Sequence, residues 1–306
     1  MEISIGPVLF EWKREDFIRF YEEVSEMDVD TVYIGEVVCS KKKGLKPNDI
    51  GAMAKLLEGA GKKAVISTLA VVSNEEELGL TRSLLKLPYA VEANDMSVFN
   101  MIEKGRPVYA GPHITAYNAQ SIEFLKSVGA IRVVFPVELS RDSIAYNIRQ
   151  TGIEGEVFGH GKVPLAFSWR CYTSRAYGLT KTDCRHHCAL YPDGMEIKAI
   201  EGGPLFTING TSILSASVYS LIGSVDEIRD IGAAAIRISP SLKGTGKAVQ
   251  VFRKRMSGGI GPEEAVLELK DALGGGALSN GWFYGEAGKD YIKAASKNRS
   301  FSRSLR

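Results

Sequence analysis

The feature that most constrains the fold of this chain is a repeated alternation of short apolar runs and longer amphipathic segments. Runs such as ISIGPVLF, TVYIGEVV, KAVISTLAVV and AIRVVFPVELS each lead into a stretch with helical periodicity. The runs are continuously apolar, which is typical of strands buried on both faces of a parallel sheet. At least six such units follow one another, a pattern that predicts either a barrel or a doubly wound sheet.

Two observations favour the barrel over the doubly wound sheet. No G-x-G-x-x-G motif follows the first apolar run, and the repetition continues through most of the 306 residues. We therefore predict an α/β fold in which residues 1–296 form one (β/α)8 TIM-barrel-like domain. AAAIRISP is predicted as a late barrel strand, PLFTINGTSIL as a strand pair, and the Gly-rich aromatic segment near the C-terminus as a cap. Residues 297–306 are predicted to form a flexible tail.

The four cysteines of the chain are Cys39, Cys171, Cys184 and Cys188. Four thiols can close a tetrahedral metal site or hold one iron–sulfur cluster. Three of them lie in the polar stretch 170–197, which interrupts the strand–helix rhythm and is expected to be a loop with a function. Cys39 follows TVYIGEVV and Cys171 follows KVPLAFSW, so a barrel would place both at the carboxyl ends of strands. We therefore expect one site built from all four thiols.

Three interpretations of the cysteines stay open on spacing alone. Structural zinc usually uses paired C-x2–4-C knuckles, and only Cys184 and Cys188 have such spacing. Clusters accept thiolates from several loops, so the irregular spacing favours a cluster over zinc. Burial as a small apolar residue is an alternative for Cys39, whereas the polar surroundings of the other three argue against it. His186 and His187 are predicted to lie near the site without binding the metal.

Two histidines and several acids are candidates for chemistry at the barrel mouth. His113 in AGPHITAYN and His160 in VFGHGK each follow a predicted strand or a glycine. The acids predicted on the same face are Glu36, Glu92, Glu138 and Asp142. The predicted catalytic set is His113, His160, Glu36 and Glu138, although a structural role for each histidine stays open. No Ser–His–Asp order, H-E-x-x-H or G-x-x-x-x-G-K motif accompanies them.

Charge and hydropathy limit the expected partners. The 38 basic and 36 acidic residues leave a net charge of +2, which gives no electrostatic reason to expect nucleic acid as a partner. The basic run KKKGLK after Cys39 is interpreted as a solvated loop. Neither a transmembrane segment nor a secretory signal is expected, because no apolar stretch is long enough and the N-terminus is charged. A cytoplasmic location is expected, where grouped cysteines more often bind metal than form disulfides.

The segment FGHGKVPLAFSWRC, followed by two further cysteines, resembles the collagenase-like peptidase family. The family pattern is matched by Glu156, Phe158, His160–Gly161, Ser168 and Cys171. The blocks GPVLFEW, GEVVCSK, STLAVV, FPVELSRD and SNGWFY extend the resemblance over nearly the whole chain, to the small members that act in oxygen-independent ubiquinone biosynthesis. RISPS stands where larger members carry a KIEGR-like segment, a departure that weakens a peptidase function.

The resemblance implies a specific function and specific partners. It implies a 4Fe-4S cluster on Cys39, Cys171, Cys184 and Cys188, in a subunit of an O2-independent hydroxylase of the ubiquinone ring. The implied partners are UbiU, a longer family member that would form a heterodimer with this chain, and a sterol-carrier-like lipid-binding accessory protein. The implied substrate is a ubiquinone precursor, with prephenate as the oxygen donor. Two alternatives stay open: a non-catalytic scaffold or oxygen sensor held together by the cluster, and a collagenase-like peptidase.

Overall fold

The computed structural model describes residues 1–294, in which strands and helices alternate from the start. The strands are β1 (Glu2–Ile5), β2 (Thr31–Gly35), β3 (Lys63–Ser67), β4 (Ala90–Ala93), β5 (Val108–Ala110), β6 (Ala130–Val134), β7 (Glu154–Gly161), β8 (Pro164–Phe167), β9 (Met195–Lys198), β10 (Pro204–Asn209), β11 (Ser212–Ser215), β12 (Val218–Ser220), β13 (Ala235–Ile238) and β14 (Leu278–Ser279). The α-helices are α1 (Arg14–Glu26), α2 (Pro47–Gly59), α3 (Glu75–Leu84), α4 (Ser97–Met101), α5 (Ala119–Ser127), α6 (Arg141–Thr151), α7 (Tyr172–Ala176), α8 (Val225–Asp230), α9 (Thr245–Met256) and α10 (Pro262–Ala272).

Eight parallel strands close into a barrel. Strands β1 to β7 pair in sequence order, and β13 closes the ring by pairing with both β7 and β1. At the closure, Ile236 of β13 lies opposite Ile3 of β1 on one side and Val157 of β7 on the other. This confirms the predicted (β/α)8 barrel, with AAAIRISP as its last strand.

The barrel forms because its strands are apolar on both faces and its helices on one. Every residue of β2 and of β13 is buried, as expected where side chains fill the barrel on one face and meet helices on the other. Helix α1 buries Phe17, Phe20, Tyr21 and Val24, which recur at the spacing of one helical face. The same spacing predicted this helix from the sequence.

An insertion between β7 and α8 departs from the barrel pattern. Strands β8 to β11 form a separate antiparallel sheet in the order β8–β11–β10–β9. The segment PLFTINGTSIL is confirmed as a strand pair, since Asn209 of β10 lies opposite Ser212 of β11. The stretch 170–197, expected as a loop, is partly folded: it contains α7, the 3-10 turn His187–Leu190 and most of β9.

The run KVPLAFSW does not supply a barrel strand, contrary to the expectation from its apolar character. It contains β8, an edge strand of the inserted sheet. Gly161 explains the change, because its φ of +126° suits glycine and a Cβ there would lie 2.6 Å from Ser239 Cβ. The chain turns out of the barrel at this glycine, so the apolar residues that follow pair with β11 instead.

The segment after α10 packs on the side of the barrel. Strand β12 pairs antiparallel with β7, and β14 pairs with β12, so both extend the sheet from β7. The Tyr284 hydroxyl donates to Glu227 at 2.9 Å, which fastens the segment to α8. The predicted boundary at residue 296 and the predicted tail 297–306 lie outside the described residues. No helix within residues 1–294 has the length and hydropathy needed to cross a membrane.

Candidate functional site

All four cysteines line a single cavity, called here the thiol cavity. Cys39 lies in the loop after β2, Cys171 directly precedes α7, and Cys184 and Cys188 lie between α7 and β9. Two segments more than 130 residues apart in the sequence therefore meet at the carboxyl ends of the barrel strands. All four are free thiols. Within residues 1–294, no three His, Cys, Asp or Glu side chains form a group compact enough for a single metal ion.

A two-residue turn of the insertion holds the two cysteine segments together. Gly210 and Thr211 join β10 to β11, and Gly210 has φ +59°, a left-handed conformation that glycine adopts without strain. The Tyr172 N–H, next to the second cysteine, donates to the Gly210 carbonyl at 2.8 Å. The Thr211 hydroxyl donates at 2.8 Å to the carbonyl of Val38, next to the first cysteine. The turn thus bridges the barrel loop and the inserted helix.

Glu36 supports the Cys39 loop instead of facing the barrel mouth. Its carboxylate accepts hydrogen bonds from the N–H groups of Val38 at 2.7 Å and Cys39 at 3.1 Å, and pairs with Lys42 at 3.3 Å. Burial raises the pKa of Glu36, while Lys42 and the two N–H donors oppose the rise. The structure therefore places this predicted catalytic acid where it positions a thiol.

Three lysines also line the thiol cavity: Lys41, Lys42 and Lys181. The Lys42 side chain is 5% exposed, and its Nζ donates to the carbonyls of Leu9 and Phe10. Lys181 pairs with Glu77 at 3.0 Å; burial opposes ionisation of Glu77, but Lys181 and Ser73 lower its pKa. The run KKKGLK, interpreted from the sequence as solvated, is thus partly buried because backbone carbonyls receive its ammonium group. Its positive charge favours thiolates in the cavity.

Backbone N–H groups already point at two of the sulfur atoms. The Ser174 N–H donates to Cys171 Sγ at 3.4 Å, and the Lys41 N–H donates to Cys39. Burial raises the pKa of the Cys39 thiol and raises that of Cys188 to about 12. Such thiols release their protons when a metal binds. Hydrogen bonds to sulfur of this kind tune iron–sulfur sites.

A second cavity, the barrel-mouth cavity, has a volume of about 400 Å³. Its apolar walls include Pro7, Leu9, Val37, Phe135, Val137, Phe158, Leu165 and Phe167. Its polar lining includes Glu92, Asn94, His113, Tyr117, Glu138 and Arg237. Apolar walls with a few convergent polar groups are typical of a small-molecule binding site.

The structure places two members of the predicted catalytic set, His113 and Glu138, in the barrel-mouth cavity. His113 lies in a 3-10 turn after β5, and its ring centroid is 4.3 Å from that of Phe167. Burial, with a smaller contribution from Arg237, lowers the His113 pKa to about 3, so the ring is neutral at pH 7. Glu138 accepts a hydrogen bond from Tyr117, which raises the Tyr117 pKa to about 12. A histidine with so low a pKa suits hydrogen bonding better than proton transfer at neutral pH.

His160 does not lie at the barrel mouth, which corrects the sequence prediction. It belongs to β7, is 5% exposed and packs against Phe252 of α9, with ring centroids 6.0 Å apart. The pairing of β7 with β13 shifts register between Phe158 and His160, and such a bulge reverses which face the next side chain takes. Burial lowers the His160 pKa to about 4. Asp142, the further candidate acid, lies in the first turn of α6 with its side chain 77% exposed.

Four buried charges form one network inside the barrel, called here the charged floor, and two of them, Glu92 and Arg237, line the barrel-mouth cavity. Arg237 pairs with Glu92 at 2.7 Å and Glu156 at 2.6 Å, and Arg132 pairs with Glu156 at 3.4 Å. None of the four is more than 3% exposed. Burial opposes ionisation of Glu156, but Arg237 and Arg132 hold its pKa below the usual range. In the sequence, these four residues could have been recognised as single charged residues within apolar strand runs.

Comparison with known proteins places these features in context. The sequence model of Peptidase family U32 matches residues 19–292. The 23S rRNA 5-hydroxycytidine C2501 synthase of Escherichia coli is 25% identical over 171 residues, which cover 53% of this chain and 26% of that protein. The tRNA hydroxylation protein P1 of Bacillus subtilis is 26% identical over 250 residues, which cover 74% of this chain and 57% of that protein. The matched part of the chain thus spans less than two thirds of the length of each of these two relatives. The solved structure of a U32 peptidase has a TM-score of 0.43 at 8% identity, covering 79% of this chain and 93% of that chain.

Proposed function

The chain belongs to Peptidase family U32, and from that membership we propose that it is the 4Fe-4S-carrying subunit of an O2-independent hydroxylase. The proposed substrate is the ring of a ubiquinone precursor, which makes the chain UbiV-like; the blocks GEVVCSK and FPVELSRD support this. The names of the relatives, an rRNA hydroxycytidine synthase and a tRNA hydroxylation protein, support hydroxylation as the reaction class. The observation that carries the proposal is the meeting of all four cysteines at one cavity.

The donor set suits an iron–sulfur cluster better than one zinc ion. Structural zinc usually uses paired C-x2–4-C knuckles, and only Cys184 and Cys188 have that spacing. A cluster accepts thiolates that are farther apart, because each thiolate binds a different iron. Cys39, Cys171, Cys184 and Cys188 are the proposed ligands. When bound, the cluster would supply one-electron transfer.

The barrel-mouth cavity is the proposed place for the ring. Its phenylalanine side chains offer flat apolar faces against which an aromatic ring packs. They also exclude water from the ring carbons, while the neutral imidazole of His113 can accept or donate one hydrogen bond there. A volume of about 400 Å³ lies within the usual size of a small-molecule site.

The two cavities are neighbours, which supports joint action. Val37 lines the barrel-mouth cavity and Cys39 lines the thiol cavity, and two residues of chain span at most about 7 Å. Leu9 also connects the two cavities. It lines the barrel-mouth cavity, and its carbonyl accepts a hydrogen bond from Lys42, which lines the thiol cavity. A ring at the mouth would therefore lie beside the cluster.

The insertion offers a surface for the proposed heterodimer with UbiU. Large exposed apolar side chains are concentrated there: Leu165, Trp169, Tyr177, Leu190, Ile200, Leu205 and Phe206. Apolar surface of this kind is typical of interaction sites. In the same proposal, the sterol-carrier-like accessory protein presents the ubiquinone precursor and prephenate provides the oxygen.

A second candidate function is hydroxylation of a base in RNA, because the relatives' names specify rRNA and tRNA. The net charge of +2 gives the chain little attraction for a polyanion, so we rank this candidate second. A peptidase function has less support, since neither His113 nor His160 hydrogen-bonds a Ser, Thr or Cys side chain in the part of the chain that the structure describes. A cluster-bearing scaffold or sensor would bind iron without supporting turnover.

Anaerobic growth of a ubiquinone-producing host that lacks its oxygen-independent hydroxylation genes tests the proposal. We expect ubiquinone to be restored by this chain together with UbiU, and to be lost again with Cys171→Ala. His186→Ala, altered in the same cavity, should retain function and serves as the control. Gain of a hydroxylated nucleoside without ubiquinone would favour the RNA candidate, and a cluster-loaded protein that restores neither would favour the scaffold.

A further inference from the structure

Two buried lysine side chains line the thiol cavity from different segments of the chain. Lys42 lies three residues after Cys39, and its side chain is 5% exposed. Lys181 lies three residues before Cys184, and its side chain is 12% exposed. Because lysine is almost never buried without a partner, the place of both at this cavity calls for an explanation.

Each ammonium group is held in place by a carboxylate. Lys181 pairs with Glu77 of α3 at 3.0 Å, although the two residues are 104 positions apart in the sequence. The Glu77 carboxylate also accepts hydrogen bonds from the N–H and the hydroxyl of Ser73, each at 2.8 Å. Lys42 pairs with Glu36 at 3.3 Å and also donates to two backbone carbonyls. These contacts fix both positive charges beside the cavity.

The two positive charges act on the thiols. Burial raises the pKa of Cys39, whereas the charges of Lys42 and Lys181 lower it. Burial also raises the pKa of Cys188, and Lys42 opposes this rise. Both lysines are therefore close enough to favour negative charge on the sulfur atoms.

Two carboxyl groups near the thiols offset the lysines only in part. Glu36 raises the pKa of Cys39, and Glu11 raises that of Cys188. Burial raises the pKa of Glu36 and of Glu11, which favours the neutral form of each carboxyl group. Their negative charge at the cavity is thus reduced relative to that of two ordinary carboxylates.

The charge of an iron–sulfur cluster changes when it accepts an electron. A 4Fe-4S cluster bound by four thiolates is already an anion, and reduction by one electron makes it more negative. A nearby cation stabilises both states, but it stabilises the reduced state more. This effect is large for buried cations, because water and salt screen them only weakly.

We propose that Lys42 and Lys181 raise the reduction potential of the cluster in the thiol cavity. The inference rests on the proposed function, which supplies the cluster. It adds a role for two lysines of this chain, one in the loop after β2 and one in the insertion. A lysine of the run KKKGLK thereby takes part in redox chemistry, which a solvated lysine would affect little.

Potentiometric titration of the cluster-loaded chain, purified without air, tests the inference. One electron passes from a reduced mediator dye to the oxidised cluster, and the absorbance near 400 nm is followed against the potential. In Lys42→Met and in Lys181→Met, the ratio of reduced to oxidised cluster at a fixed potential should fall about tenfold, a shift of about 59 mV. Unchanged potentials in both variants would overturn the inference.

Lys43→Met is the matched control. Lys43 adjoins Lys42 in the sequence, but its side chain is exposed. Because water screens this charge, the variant should change the ratio by less than about twofold. Lys42→Arg keeps the positive charge and should retain the potential of the unaltered chain. A shift in Lys43→Met as large as that in Lys42→Met would contradict the role of burial.

Glu77→Gln tests the sign of the effect. Burial opposes ionisation of Glu77, but Lys181 and Ser73 lower its pKa, so the group is a carboxylate at pH 7. The variant leaves Lys181 without its counter-charge and should raise the ratio of reduced to oxidised cluster by about twofold to fivefold. Shifts in the same direction in Lys181→Met and Glu77→Gln would show a general disturbance of the cavity and overturn the inference. If Lys42→Met does not hold a cluster, these two variants still decide.

The two proposals can fail separately. If the chain restores ubiquinone in the anaerobic host but the lysine variants keep the potential of the unaltered chain, only the role of the lysines is wrong. If the potentials shift as expected but ubiquinone is not restored, the role of the lysines stands and the proposed function is wrong. A chain that holds zinc or no metal would overturn both.

Discussion

The thiol cavity and the barrel-mouth cavity share the loop after β2 but are built in different ways. The thiol cavity is formed by loops and a short helix, held by single hydrogen bonds such as that from Thr211 to Val38. The barrel-mouth cavity rests on strands whose charged side chains bond to one another across the barrel. Reactive groups thus lie on loops that a cofactor can order, whereas the cavity proposed for the ring rests on a rigid frame. The two cavities should therefore respond differently to mutation.

The largest expected effect comes from the charged floor. Glu156→Gln leaves Arg237 with Glu92 as its one buried partner and Arg132 with only the more exposed Glu2 and Glu154, and should lower the free energy of unfolding by about 3–5 kcal/mol. Glu154→Gln is the matched control, because this residue of the same strand also pairs with Arg132 but its side chain is 53% exposed. Glu154→Gln should lower the free energy of unfolding by less than about 1 kcal/mol. Urea unfolding measures the free energy of unfolding of both variants. An equal decrease in the two variants would contradict the expected difference between the buried Glu156 and the half-exposed Glu154.

A second test compares the histidine in the mouth with the histidine outside it. Burial holds the pKa of His160 at about 4, below its ordinary value of 6.5. The unfolded chain therefore takes up this proton first as the pH falls, and the free energy of unfolding drops between pH 7 and pH 5 by about 2 kcal/mol. His160→Gln should remove this part of the pH dependence in urea unfolding.

His113→Gln should flatten the same pH dependence, since the His113 pKa is also lowered. Only His113→Gln should lower ubiquinone production in the anaerobic host, because His113 lines the barrel-mouth cavity whereas His160 lies against α9. Lowered ubiquinone production by a folded His160→Gln variant would contradict its placement outside the cavity. A pH dependence unchanged in both variants would show that burial does not lower the pKa of either ring.

The smallest expected effect concerns the turn that holds the thiol cavity together. Thr211→Val removes the hydrogen bond to the Val38 carbonyl and should lower the free energy of unfolding by about 1–2 kcal/mol. It should also speed the loss of iron to a chelator. Thr182→Val, at an exposed position of the same insertion, should match the unaltered chain in both assays. Equal iron loss from the two variants would show that the turn does not hold the cavity.

The barrel could be predicted from the sequence because each strand and each helix has its own local pattern of apolar residues, and the two patterns alternate along the chain. The four cysteines could also be found, since thiols are rare and three of them lie in one polar stretch. Their meeting was correctly expected, but by a different route: Cys171 follows an inserted strand, not a barrel strand. The inserted sheet begins just after Gly161, and the apolar character of KVPLAFSW alone does not show which sheet this run joins.

The barrel-mouth floor could not be predicted, because its contacts depend on register across the barrel. Arg237 and Glu92 are 145 residues apart and meet only after the ring has closed. The prediction for His160 was wrong for a related reason, since the bulge in β7 before this residue changes the face on which its side chain lies. Local patterns therefore indicate which residues carry chemistry, whereas the closed barrel decides which of them face one another.

The most direct test of the central claim is the metal content of the anaerobically purified chain. Iron, acid-labile sulfide and zinc are measured per chain, together with the absorbance at about 400 nm. If the four thiols hold a 4Fe-4S cluster, the unaltered chain and His186→Ala should contain about four iron and four sulfide atoms, and Cys171→Ala should lose nearly all of them. Zinc in place of iron, or full iron retention by Cys171→Ala, would contradict the account.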